Sequence, residues 1–200
     1  MDVLSEYPNS PYELFQNWFL EAKSLEPSDP DAAALATVDD EGLPDVRVVL
    51  IRRIDPRGFC FFTNFESAKG QELIQNPLAA INFHWKSLKR QVRVRGGIAP
   101  VSTDEADEYY HSRPLGNRIG AWASRQSRPL ADRAQLLEQT RQMEEKYGDS
   151  PPRPPYWSGF RLIPVSIEFW REGEYRLHRR VRYKLSGKGE NSWDKEFLYP

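Results

Sequence analysis

The chain has 200 residues, 39% hydrophobic and 12% aromatic, which is enough to bury a core and few enough to expect one domain over residues 1–200. Its 28 Lys+Arg against 29 Asp+Glu exclude a globally basic nucleic-acid binder and an acid-rich disordered chain. Cys60 is the single cysteine, so an internal disulfide is excluded, and no window approaches the roughly 20 apolar residues of a membrane span.

Residues 1–10 carry no basic leader and no apolar run, so no signal peptide is expected; they are read as flexible, in a cytoplasmic protein. Ser10 can cap a helix that starts with Pro11, with Glu13 placed for a capping box, and Pro27 and Pro30 end it. Residues 33–38, 46–54 and 59–63 read as strands, separated by turn chemistry at 39–42 and 55–58, so an antiparallel meander is expected. Residues 67–75 read as a helix and 78–85 and 91–99 as two further strands. Ser102 and Glu105 form a second capping box that opens a helix through His111, and 130–147 has helical spacing. The proline-rich stretch 151–155 is a stiff connector inside the domain, followed by strands at 160–170, 175–185 and 193–198. Helices do not alternate regularly with strands, so a mainly β fold with peripheral helices (α+β) is expected, an antiparallel barrel closed late by the C-terminal strands.

Segment 109–127 sets Arg113, Arg118 and Arg125 among Tyr109, Ser112, Asn117, Gln126 and Ser127. Arginine forks bind phosphate with two hydrogen bonds at once, and hydroxyls and amides supply more. A second cluster runs from Trp170 through Arg176, His178, Arg179 and Arg180. Together they suggest a pocket for phosphorylated, planar ligands. Arg47 and Arg52 lie in an apolar run, on opposite faces unless a bulge intervenes; two solvated arginines would be about as common. Thr63, Ser67 and Lys69 stand where a strand gives way to a helix, and a helix N-terminus favours phosphate, although an ordinary capped helix looks similar. Arg93 and Arg95 read as a solvated strand face. His84, His111 and His178 lack metal-ligand spacing, so no metal is expected, and no phosphate-binding loop, dinucleotide fingerprint or hydrolytic triad order appears.

These motifs, taken as a set, resemble one family. They are Arg-Val-Val-Leu at 47–50, Phe-Thr-Asn at 62–64 followed by Ser-x-Lys, and Arg-Gln-Val at 90–92. Next come Tyr-x-His-Ser-Arg-Pro at 109–114, Ile-Gly-Ala-Trp at 119–122 and Ser-x-Gln-Ser at 124–127. Trp-Ser-Gly-Phe at 157–160, Ile-Glu-Phe-Trp at 167–170, Arg-Leu-His at 176–178 and Leu-Tyr-Pro at 198–200 complete them. The chain resembles pyridoxamine (pyridoxine) 5′-phosphate oxidases of proteobacterial type, from about residue 11 to 200. The resemblance implies an FMN-binding split barrel and a homodimer with two FMN sites at the subunit interface. It implies FMN contacts from Arg47, Phe62, Thr63, Lys69, Gln91, Gln126, Ser127, Trp170 and Arg180. It implies a substrate phosphate held by Arg52, Tyr109, Arg113 and Asn117, with Arg176 and His178 against the pyridine ring as catalytic groups. The implied chemistry moves a hydride from the substrate C4′ to the flavin N5, with O2 as final acceptor and H2O2 as product.

Five positions depart from the usual pattern: Arg52 for Lys, Phe62 for Tyr, Ala68 where some members have Arg, Asn117 for Ser, and Arg179 for Asp. They keep two other readings open, a flavin oxidase with a changed substrate, as in phenazine-pathway members of the fold, and a non-catalytic binder of FMN or pyridoxal phosphate. A basic-strand nucleic-acid binder is a distant fourth.

Overall fold

A computed structural model describes residues 6–187 and 192–200. Nine strands form one antiparallel sheet: β1 (Ala32–Val38), β2 (Pro44–Leu50), β3 (Arg53–Asp55), β4 (Gly58–Asn64), β5 (Leu78–Trp85), β6 (Arg90–Pro100), β7 (Trp157–Arg171), β8 (Arg179–Leu185) and β9 (Trp193–Leu198). The main path runs β2-β1-β5-β6-β7-β4-β3, with β8 and then β9 added beside β7. Its two end strands, β2 and β3, are separated in the chain only by Ile51 and Arg52. The three steps from Leu50 to Arg53 reach no more than about 11 Å, so the sheet curls until its ends meet. That curl makes the split barrel.

The crossing at 51–52 also corrects the expected strand 46–54, which breaks into β2 and β3. Ile51 N–H bonds the Asp31 carbonyl at 2.9 Å and Arg52 N–H bonds the Cys60 carbonyl at 2.8 Å, so the chain leaves one partner strand for another. The expected antiparallel meander is present, β1 pairing with β2 and β3 with β4, and β4 pairs in addition along β7. β7 is the organiser, with β6 along one edge and β4 then β8 along the other. A register shift at Arg95/Gly96 bends β6 there, and a Cβ on Gly96 would lie 1.9 Å from the Ile163 carbonyl oxygen, so only glycine fits.

α1 (Pro11–Leu25) closes the barrel with Phe15, fully buried against Phe59 and Phe83 at 5.2 and 5.1 Å between ring centroids. Truncating such a ring costs about 3–5 kcal/mol. Pro11 starts the helix as expected, but the Ser10 side chain makes no capping bond. Of the lead-in read as flexible, residues 1–5 lie outside the described residues. Tyr7 and Pro8 are tied down: their carbonyls accept from Lys195 Nζ at 2.6 Å and from the Tyr183 hydroxyl at 2.7 Å.

The remaining helices are α2 (Ala68–Gln75), α3 (Thr103–Ser112), α4 (Leu115–Ala123) and α5 (Arg133–Tyr147). Ser67 caps α2 by accepting from Gly70 N–H at 3.2 Å, and Ser102 caps α3 by accepting from Glu105 N–H at 3.1 Å. α4 was not expected; Gly116 and Gly120 are weak helix formers and masked it. Residues 175–178, read as strand, instead hold a 3-10 turn at Glu174–Arg176 ahead of β8. The connector 151–155 has neither helix nor strand and is pinned by Arg153, whose Nε bonds Asp107 at 2.6 Å.

Candidate active site

The end of β4, the start of α2, the end of α3 and one face of α4 surround a cleft of about 500 Å³. Eight of the singled-out side chains line it: Arg52, Phe62, Thr63, Lys69, Tyr109, Arg113, Asn117 and Gln126. The strand-to-helix junction makes one end. Lys69 Nζ bonds Gln126 Oε1 at 3.0 Å and the Thr63 and Ser67 hydroxyls at 3.3 Å each, and the Thr63 hydroxyl donates to Gln126 Oε1 at 3.2 Å. Burial, and then repulsion from Arg47, holds the Lys69 ammonium below the ordinary lysine range. An anion would relieve both.

Arg113, which follows α3, makes the other end. Its guanidinium lies 4.7 Å from the Trp157 ring centroid, and its Nη1 is buried without a hydrogen-bond partner. Burial first, with repulsion from Arg52 also contributing, holds its pKa below the usual arginine value. A buried, unpartnered charged donor is costly unless something accepts from it. Arg52 is shared with Asp31, whose carboxylate it meets at 2.7 Å. Phe62 and Tyr109 stack at 4.0 Å between centroids, with Trp157 parallel to both within 10°. The Phe62 position needs only its ring for this.

Trp157 also lines the cleft; it opens the Trp-Ser-Gly-Phe motif, but nothing local says that a strand-opening tryptophan forms a cleft wall. Gly116 and Gly120 were missed too. They lie one turn apart on the cleft face of α4, and a Cβ on either would meet nothing within 4 Å. Two glycines four apart in a helix are the sequence signal for such an open face.

The second cluster lies elsewhere. Trp170, Arg176 and His178 line a separate depression of about 770 Å³, which shares no lining residue with the cleft. Strand register sets Gln91, Trp170 and Arg180 side by side across β6, β7 and β8. His178 packs on Trp170 at 4.6 Å, and its Nδ1 faces the Gly173 N–H at 3.3 Å, which puts the proton of a neutral ring on Nε2. Tyr175 and Arg176 both adopt left-handed backbone, at φ 53° and 64°. Non-glycine residues there cost of order 1 kcal/mol each, and such strain gathers at functional sites. A Cβ on Gly173 would lie 2.1 Å from the Leu177 carbonyl oxygen, which is how tightly the turn folds back.

Two expected contacts fall outside both groups. Arg47 is taken up by Thr37, Asp45 and Glu72, the last at 3.2 Å, and Ser127 is exposed with φ 70°. Arg93 is exposed, as its reading on a solvated strand face expects, and also pairs with the buried Glu168. Cys60 is buried, which pushes its thiol up to about 11 and leaves it unreactive. Among the described residues no group of three His, Cys, Asp or Glu is placed to hold a metal, and no helix is long and apolar enough to cross a membrane.

Residues 21–147 match the family described as pyridoxamine 5′-phosphate oxidase, and residues 157–200 match the pyridoxine 5′-phosphate oxidase C-terminal dimerisation region. The chain belongs to this family. It is 55% identical over 194 residues to a pyridoxine/pyridoxamine 5′-phosphate oxidase of Brucella anthropi, covering 96% of this chain and 95% of that one. It is 56% identical over 192 residues to the Brucella canis protein of the same name, covering 95% and 94%. Membership makes the chain an oxidoreductase. Among solved structures, PhzG from Burkholderia lata, in complex with tetrahydrophenazine-1-carboxylic acid, superposes with TM-score 0.92 at 32% identity over 100% of this chain and 97% of that one. A pyridoxamine 5′-phosphate oxidase-related, FMN-binding protein of Nostoc punctiforme shares the fold, with TM-score 0.75 at 19% identity over 96% and 98%.

Proposed function

We propose that this chain oxidises pyridoxine 5′-phosphate and pyridoxamine 5′-phosphate to pyridoxal 5′-phosphate, with FMN as cofactor, O2 as acceptor and H2O2 as product. The observation that carries the reading is the cleft with two cationic ends, one at Lys69 and one at Arg113, the latter with a buried nitrogen lacking a partner. A phosphorylated cofactor and a phosphorylated substrate need two such ends. The relatives' shared name points the same way.

Thr63, Lys69 and Gln126 would take the FMN phosphate, with Arg47 and Ser127 beside them. Gln91, Trp170 and Arg180 would meet its ring. Arg52, Tyr109, Arg113 and Asn117 would grip the substrate phosphate, and the open Gly116–Gly120 face leaves room for the ligand. FMN, when bound, supplies the hydride acceptor and the reactivity with O2. The protein's share is orientation and charge. Arg176 would hold the pyridine ring and stabilise charge on it. His178, whose Nδ1 accepts from Gly173 N–H, would have Nε2 free to meet the same ring.

The two residue groups lie on different parts of one chain. We read the active unit as a homodimer in which the cleft of one copy meets the Trp170–Arg180 region of the other, in keeping with the dimerisation match over 157–200. A cytoplasmic setting belongs to this reading, supported by the lone unpaired Cys60.

The likeness to PhzG favours one alternative: the same flavin site with a tricyclic carboxylate as substrate. Oxygen-dependent turnover of both phosphorylated substrates by purified, FMN-loaded protein separates the readings. Saturable formation of pyridoxal 5′-phosphate is expected. Bound yellow flavin without turnover would overturn the oxidase reading in favour of a changed substrate or a carrier.

A further inference from the structure

Glu168 lies in β7, between β6 and β8, and its side chain is only 6% exposed. A carboxylate this deep is expensive unless it is fully paired. Two arginines pair it from opposite sides. Arg93 Nη2 meets Oε2 at 2.5 Å, and Arg180 meets Oε1 through Nε at 2.9 Å and Nη2 at 2.8 Å. Arg180 Nη1 then donates to the Tyr199 carbonyl at 2.8 Å.

Three nitrogens of Arg180 are thus held by two acceptors from two chain segments. A planar guanidinium bonded in this way cannot rotate. It stands beside Trp170 in the cross-strand row that continues to Gln91. Each terminal nitrogen keeps one further hydrogen for an acceptor on a planar ring. One carboxylate between two guanidiniums also leaves a single net positive charge there. Buried ion pairs seldom add much stability over apolar packing, so orientation is the better account of this one.

We propose that Glu168 is a positioning residue that fixes the plane of Arg180 against the flavin ring. This rests on the reading that Arg180 faces the FMN ring. Glu168→Gln keeps the shape and removes the charge. FMN titration of the apo-dimer, followed by quenching of flavin fluorescence, should give a Kd about tenfold higher for this variant, the loss of roughly one charge-assisted bond. The visible bands of the bound flavin should shift as well, which a purely structural role would not cause. Arg180→Lys should weaken FMN at least as much. The double variant should be no worse than Arg180→Lys alone, because Glu168 acts through Arg180.

Wild-type affinity and spectrum in Glu168→Gln, or effects that add in the double variant, would overturn the proposal. Wild-type FMN affinity in Arg180→Lys would instead remove Arg180 from the flavin site, and with it the reading underneath. Should Glu168→Gln fold poorly, Arg93→Gln carries the test from the half-exposed side. A Kd about threefold higher with the same sense of band shift is expected, and no change in either would count against the clamp.

Discussion

The cleft at Arg113 and the depression at His178 are built on opposite principles. The cleft is walled by six elements of one chain, β2, β4, β7, α2, α3 and α4; at one end Lys69, Thr63 and Gln126 bond one another, and at the other Arg113 Nη1 lies buried without a hydrogen-bond partner. The second site is a strained turn on a sheet end, with Arg176 exposed and Tyr175 89% exposed. A phosphate pocket must be dry and rigid before its ligand arrives, because charge–charge attraction is strong only away from water. A group that closes over a planar ring can be delivered later, by another surface. On the proposed reading the two regions are half-sites, and the chemistry needs them brought together.

Subunit mixing has the largest expected effect. Arg113→Ala disables the cleft and Arg176→Ala the turn, so each homodimer should be nearly inactive. In a mixed dimer with shared sites, one site carries both defects and the other carries none. Random reassortment should therefore restore about a quarter of wild-type turnover, from half of the dimers with one working site each. If each chain contains its whole site, mixing restores nothing and the two half-sites are unrelated.

Arg113→Ala alone should raise the KM for pyridoxine 5′-phosphate about 100-fold, as charge-assisted bonds worth roughly 1.5–3 kcal/mol are lost. FMN should remain bound at one per subunit. Loss of FMN with substrate KM unchanged would assign the Arg113 end to the cofactor and reverse the two ends of the cleft.

Lys69 sharpens the other end. Its folded pKa lies below its unfolded value, so the ligand-free protein gains stability as pH rises through that window. A bound phosphate dianion reverses the preference by favouring the charged ammonium. FMN affinity should then fall as pH climbs toward the ordinary lysine range, and Lys69→Arg, which stays charged, should flatten that fall. Lys69→Ala should raise the Kd for FMN about tenfold at neutral pH. A pH-independent Kd in the wild type would separate Lys69 from the phosphate.

Much of this was readable in the residues, and what was not has physical causes. Strands 78–85 and 193–198 are recovered at their bounds, the first because Pro77 precedes it and Ile81, Phe83 and Trp85 alternate along it at the period of a strand. The late pairing of β7 between β6 and β4 was not readable, since register is a tertiary fact and 92 residues lie between Asn64 and Trp157. Segment 109–127 announced its polar groups, and eight of the singled-out residues do share one cleft. The partners of Arg47 were not readable, because no spacing rule ties Glu72 and Asp45 to it. The Glu168 clamp was hidden in the same way, because three strands must align before Arg93 and Arg180 meet one carboxylate.

The smallest expected effect tests the exposed site at its rim. Register places Arg179 directly opposite Arg171, which in turn lies opposite Arg90. Arg90 is balanced by Glu21 at 3.0 Å, whereas Arg171 and Arg179 face each other as exposed like charges. Directly opposed like charges destabilise a sheet by a few tenths of a kcal/mol, and the same pair sets excess positive charge at the root of the turn that carries Arg176 and His178. Arg179→Asp should therefore raise stability by about 0.5 kcal/mol in urea unfolding and raise kcat/KM by about two- to threefold, with the larger gain at low salt. A gain in stability without a gain in rate would make position 179 a matter of strand pairing alone. No change in either would mean that solvent already screens the pair, and that the turn carrying Arg176 and His178 is indifferent to the charge beside it.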